Sequence, residues 1–120
     1  EYKTDPGAMT FKEQIHHVGT AIVGISKGFL KGADDAPSVD VKTATREELA
    51  AFVAAAYDYG ANTVKALSAA DEAEKIEVFG NMVSRRQVEA LLIDHSTHHR
   101  GSAIAYLRAV GVEPPAFVGF

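Results

Sequence analysis

Three Ser/Thr-x-x-Glu/Gln boxes punctuate the chain: Thr10 with Glu13, Thr45 with Glu48, and Ser84 with Gln87. In such a box the hydroxyl accepts a bond from the backbone N–H three residues on. The acid or amide side chain reaches back to the first N–H, so two orphan donors of a helix start are met together. Each box is succeeded by a run with helical periodicity. After Thr10, the residues Phe11, Ile15, Val18, Ile22, Ile25 and Phe29 alternate steps of four and three, laying one apolar stripe along a helix that ends at Lys31-Gly32. After Thr45, Leu49, Phe52, Val53, Ala56, Gly60, Val64 and Leu67 recur at helical spacing in an alanine-rich run reaching Ala70. After Ser84 a helix should run to about Val110, with Gly111 as its left-handed C-cap and Pro114-Pro115 preventing continuation. Between these segments, Ala33–Ala44 reads as a loop and residues 71–83 as a connector with extended character around Ile76–Phe79. No two segments read as paired strands and no repeat is visible. Helix on helix is the layer architecture left, an all-α bundle.

The 120 residues are expected to form one domain, 1–120. A net charge of −4 argues against a sequence-independent grip on nucleic acid, which needs a basic surface. Without cysteine, disulfides, thiolate ligands and a cysteine nucleophile are excluded, and any metal must be held by nitrogen and oxygen. No apolar run is long enough to span a membrane and no signal peptide is visible, so the expected location is cytoplasmic.

Three of the five histidines crowd into "LLIDHSTHHRGSAIAYLR". At about 100° per residue, Val88, Leu91, Leu92, His95, His99, Ala103, Tyr106 and Val110 share one side of the last helix. His98 lies at the edge of that stripe and Arg100 points away. A His-x-x-x-His pair on one face lets two imidazoles converge on one ion. Two core histidines satisfied by carbonyls or carboxylates would produce the same spacing. A zinc protease is excluded, because its general-base glutamate would occupy the position of Ser96. A third ligand would come from the first helix. There His16 shares its side with Lys12, Glu13, Thr20 and Lys27, a solvated face. His17 aligns with Ala21, Gly24 and Gly28, a seam of small residues where another backbone can approach, and is the better ligand candidate.

"TFKEQIHHVGTA" with, far downstream, "RRQVEALLIDHSTHHRGSAIAYLRAVGVEPPAF" resembles the DinB/YfiT-like superfamily. Its pattern is a histidine in an early helix, then His-x-x-x-His-Arg-Gly-Gln in the last helix. A tyrosine-leucine-arginine segment, a glycine and a Pro-Pro commonly come after it. The resemblance implies an antiparallel DinB-like helix bundle and His17, His95 and His99 as ligands of one divalent metal. Arg100 and Gly101 match the motif, while Ser102 stands where the family usually carries glutamine. The family's four-helix bundle has a helix ahead of the histidine-bearing one. Here residues 1–9 match only an inter-helix connector, so the domain is expected to be N-terminally incomplete.

Three histidines leave a metal with open positions, the mark of a catalytic rather than a structural site. Zinc or nickel is expected first, with iron and manganese also accepting imidazole. Characterised relatives implied by the resemblance include thiol-dependent transferases and isomerases using low-molecular-weight thiols. The expectation is therefore a metal-dependent thiol S-transferase or hydrolase whose thiol comes from a cosubstrate. The competing class is a non-enzymatic metal-binding stress-response protein. Asp58, Asp94 and Tyr106 are candidates for groups supporting the ligands, with surface charge or core packing the alternative for each. Ile93, Ile104 and Leu107 give the last helix a second apolar flank, from which a homodimer is expected.

Overall fold

The computed structural model describes residues 2–118. Three long helices dominate it: α1 (Phe11–Phe29), α2 (Arg46–Ala66) and, last in the chain, a helix spanning Arg85–Ala109. Each starts at the expected box, with Thr10, Thr45 and Ser84 accepting from the N3 backbone and Glu13, Glu48 and Gln87 reaching back. Where the sequence suggests that the second helix runs on to Ala70, a fourth box intervenes. Ser68 accepts from Asp71 N and opens a five-residue helix, α3 (Ala69–Ala73), so the last helix becomes α4. Its end is the expected one. Gly111 has φ of 76°, its N–H donates to Arg108 O at 3.0 Å, and Val112 N donates to Leu107 O at 2.9 Å.

The connector between α3 and α4 contradicts the expectation of no paired strands. β1 (Lys75–Val78) and β2 (Asn81–Ser84) pair antiparallel, with Ile76 opposite Val83 and Val78 opposite Asn81. Phe79 and Gly80 make the two-residue turn, both with positive φ (49° and 80°), the geometry that suits strand twist. Phe79 tolerates the left-handed region while its ring meets Phe29 edge-on at 5.5 Å. The hairpin closes one end of the molecule. Val78 joins Ile25, Leu30 and Val88 in the core there, with Phe29, Ile76, Val83 and Leu92 packed around them.

α1 is the central helix, packed extensively against both α2 and α4, which hardly touch each other. Arg85 Nε donates to Phe29 O (2.9 Å) and Tyr106 hydroxyl donates to Met9 O (2.8 Å), so α4 runs antiparallel to α1 with both ends tied. α2 lies alongside α1 in the same direction, Phe52 meeting Gly19 and Gly60 meeting Ile22 and Ser26. The loop after α1 is therefore a long crossover, as helix bundles permit.

These contacts also relocate the close approach expected at the small-residue seam. A Cβ built on Gly24 or Gly28 would meet nothing within 4 Å, whereas one on Gly19 would lie 2.5 Å from Phe52 Cε1 and one on Gly60 2.8 Å from Ile22 Cγ2. α4 draws close to α1 around His17, but the Gly24–Gly28 side stays open. Among the described residues no helix is long and apolar enough to cross a membrane.

Candidate metal centre

The apolar stripe of α1 faces its two neighbours, and near its N-terminal end the residue turned toward α4 is His17. The antiparallel course of α4 sets His95 and His99 across from it. The ring centroids stand 5.0 Å (His17–His95), 4.5 Å (His17–His99) and 4.5 Å (His95–His99) apart. One ring nitrogen from each lies within 4.8 Å of the others, and all three side chains are half-buried. Ligand bonds of about 2.1 Å in a tetrahedral array hold nitrogens about 3.4 Å apart, so modest side-chain rotation separates this arrangement from a coordinating one. The donor set is all-nitrogen, which suits zinc and its first-row neighbours. The three residues fit a divalent ion.

Their protonation fits it too. His99 is pushed down to about 4, chiefly by burial and then by the neighbouring His17, His95 and His98. His95 is lowered for the same reasons, burial first, then His17 and His98. Both rings are therefore neutral at physiological pH, the state in which a lone pair is available to a metal.

One residue that sequence reasoning missed completes the centre. Gln14, on α1 one turn before His17, is buried at 9% exposure. Its Oε1 lies 2.7 Å from His99 Nδ1. An amide oxygen only accepts, so Nδ1 carries the proton and donates, leaving His99 Nε2 with the free lone pair. Gln14 stands three residues after Phe11 and four before Val18, a polar residue on the side of the apolar stripe, and that position is the available signal; its partner, 85 positions away, is not predictable from spacing.

The other candidates go elsewhere. His16 is not on a solvated face: it is half-buried, its Nε2 is 3.1 Å from Val39 O, and its ring lies 5.6 Å from that of Phe52. The crossover loop folds over that side of α1, which helix periodicity alone could not reveal. His98 is exposed, with its ring perpendicular to that of His99 at 4.9 Å. Asp58 and Asp94 are exposed, and Tyr106 is engaged with Met9 O and the ring of Tyr2, so none of the three supports the imidazoles. Ser102, standing in the glutamine position, turns its hydroxyl back to His98 O in its own helix (3.4 Å). A cavity of about 390 Å³ lined by Lys3, Met9, Glu13, His16 and His17 opens on one side of the cluster. The larger groove, about 490 Å³, lies between α2 and α4 and touches none of the three imidazoles. Chemistry and size therefore point to different places, and the imidazoles decide for the smaller cavity.

Comparison with known proteins gives a family and a fold. The model of the DinB family matches residues 6–119. A DinB-like protein from Bacillus subtilis superposes with a TM-score of 0.75 at 19% identity, over 97% of this chain and 78% of that one. A DinB-like protein from Bacillus cereus superposes with a TM-score of 0.73 at 16% identity and the same coverage. No curated protein matches the sequence.

Proposed function

The chain belongs to the DinB family, and from that premise we propose that His17, His95 and His99 hold one divalent metal ion in a thiol S-transferase or hydrolase. The observation that carries this reading is the convergence of the three imidazoles, two of them held neutral by burial, from α1 and α4. A divalent ion bound there supplies positive charge that lowers the pKa of a water or a thiol, with coordination positions left for substrate.

The chain's own residues prepare the site in three ways. Gln14 holds His99 in one tautomer and one orientation. The helix-to-helix ties at Phe29–Arg85 and Met9–Tyr106 fix the register of α1 against α4, and with it the spacing of the ligands. The cavity beside His17 gives a small substrate a way to the cluster. The sequence has no cysteine, so a thiol substrate is a separate low-molecular-weight molecule. Cytoplasmic location belongs to the same proposal and rests on the sequence reading.

A non-enzymatic metal-binding stress-response protein is the second reading. It is favoured by one observation: Asp58 and Asp94 are exposed and Tyr106 is engaged elsewhere, leaving no acid or base beside the imidazoles among these candidates. Elemental analysis of protein purified without added metal, and then a panel of thiols and electrophiles with and without metal, tests both. Metal with turnover supports the enzyme, metal without turnover the stress protein, and no metal at any loading overturns both.

A further inference from the structure

The cavity that opens beside His17 is walled in part by the segment ahead of α1, which contributes Lys3, Gly7, Ala8 and Met9. α4 holds that segment in place. The Tyr2 ring meets the Tyr106 ring edge-on at 5.7 Å, Thr4 Oγ lies 3.5 Å from the Tyr106 hydroxyl, and Phe11 N donates to Tyr2 O at 3.3 Å. Lys3 therefore sits between two residues that rest on Tyr106, itself two turns beyond His99 on the same face of α4. Lys3 is exposed and forms no ion pair among the described residues. The carboxylate that shares the cavity, Glu13, is occupied with the start of α1, its Oε2 accepting from Thr10 N at 2.7 Å. Its carboxyl is lowered chiefly by that N–H and then by the Thr10 hydroxyl, with Lys3 the least of its influences. The charge balance of the cavity is one-sided. An imidazole binds a metal as a neutral ligand, so three of them cancel none of a divalent ion's charge. Lys3 adds a further positive charge, against Glu13 alone among the lining residues.

We propose that Lys3 is the specificity residue of this centre: it receives an anionic group of the substrate, a carboxylate or a sulfonate, while the substrate's thiol faces the three imidazoles. The inference rests on the metal-dependent thiol reading given above and names what else the thiol molecule carries. Lys3 and His17 line one cavity of about 390 Å³, so a single small molecule touches both. An ammonium on a flexible stem carries three rotatable donors, and it follows an anion without demanding one orientation of it. A neutral thiol would gain nothing from Lys3, and a cationic one would be repelled by Lys3 and by the ion together.

The cobalt-loaded chain, titrated at low salt with mercaptoethanesulfonate, mercaptoethanol and mercaptoethylamine, gives each dissociation constant from the sulfur-to-metal band. The three thiols differ only at the far end, and a sulfonate is a poor metal ligand, so its effect reports on Lys3 rather than on the ion. The quantity read is the preference for the sulfonate over the alcohol, compared between variants so that intrinsic differences between the thiols cancel. Lys3→Met should lower that preference about fivefold and Lys3→Glu should lower it further, while Lys3→Arg should keep it. Lys3→Glu should also tighten mercaptoethylamine. Lys3 is exposed and is not a candidate ligand, so the cobalt stoichiometry should be the same in all four proteins. A preference that Lys3→Met leaves within about twofold of the wild type, with cobalt bound and the band present, overturns the role of Lys3 and leaves the metal reading standing. Protein that takes up no cobalt, or takes it up and gives no band with any of the three thiols, overturns the thiol reading itself and this inference with it.

Discussion

Replacing Gln14 by methionine removes one acceptor and little volume. In the wild type His99 Nδ1–H donates to Gln14 Oε1 at 2.7 Å, and Gln14 is only 9% exposed. Without the acceptor the ring loses what fixes its tautomer, and a half-buried N–H is left to find water. When a cation sits on the other nitrogen, that N–H becomes more acidic and its bond strengthens toward the charge-assisted range of about 1.5–3 kcal/mol. Loss of a partner behind a metal-binding histidine ordinarily costs about 10–100-fold in affinity, or about 1.4–2.7 kcal/mol. The two ranges agree, so we predict about 30-fold weaker zinc binding for Gln14→Met. Gln14→Glu keeps an acceptor and adds negative charge, and should bind zinc at least as tightly as the wild type. Competition with a chromophoric chelator at neutral pH reads the affinities, and ¹⁵N spectra of the imidazoles read the tautomer. A methionine variant within about twofold of the wild type, with the tautomer unchanged, would refute the role given to Gln14.

The same geometry sets further outcomes. His99→Ala should abolish metal binding while His16→Ala, whose ring is occupied with Val39 O, should leave the stoichiometry intact; equal loss from both would undo the ligand assignment. The metal-free protein should lose stability as pH falls from 6.5 toward about 4. His95 and His99 have lowered values, so below 6.5 the unfolded chain takes up protons that the folded one refuses; above 6.5 their contribution is intact. For His99 alone the loss is on the order of 2 kcal/mol after solvent screening, and His99→Gln should flatten the acid limb of a stability–pH curve. Cobalt-loaded protein should develop an intense charge-transfer band with a suitable thiol, and His95→Ala should abolish it; silence across a thiol panel would favour a hydrolase or the stress protein. Gly19→Ala should destabilise by about 1–3 kcal/mol through its collision with Phe52. Gly24→Ala, in open space five residues on, should stabilise by about 0.5–1 kcal/mol, and denaturant melts of the pair would expose an error in either sign.

Local chemistry makes much of this fold readable. Capping boxes at Thr10, Thr45 and Ser84 act within four residues, so the sequence carries them whole, and the glycine after α4 does the same at its end. The gathering of His17 with His95 and His99 is legible because helix period fixes which side chains share a face. The features that are not legible depend on what crosses that face. Periodicity puts His16 on a solvated side, since nothing in its own helix shows that the crossover loop covers it. Gly24 and Gly28 look like a packing seam, yet smallness permits close approach without requiring a neighbour. The hairpin escapes because its strands are four residues long and its turn begins with Phe79 rather than the usual asparagine, aspartate or glycine.

Because α2 leans chiefly on α1, and α1 has its own separate contact with α4, the molecule need not open all at once. Native-state hydrogen exchange divides proteins into units that unfold with different free energies. Here α2 is the natural first unit to leave, since its departure strips one side of α1 and breaks few bonds to α4. Gln14, His17, His95 and His99 all belong to the α1–α4 pair. The amides of α2 would then exchange while the imidazoles remain assembled, and sequence changes on α2 could tune how fast this protein breathes without moving a single candidate ligand.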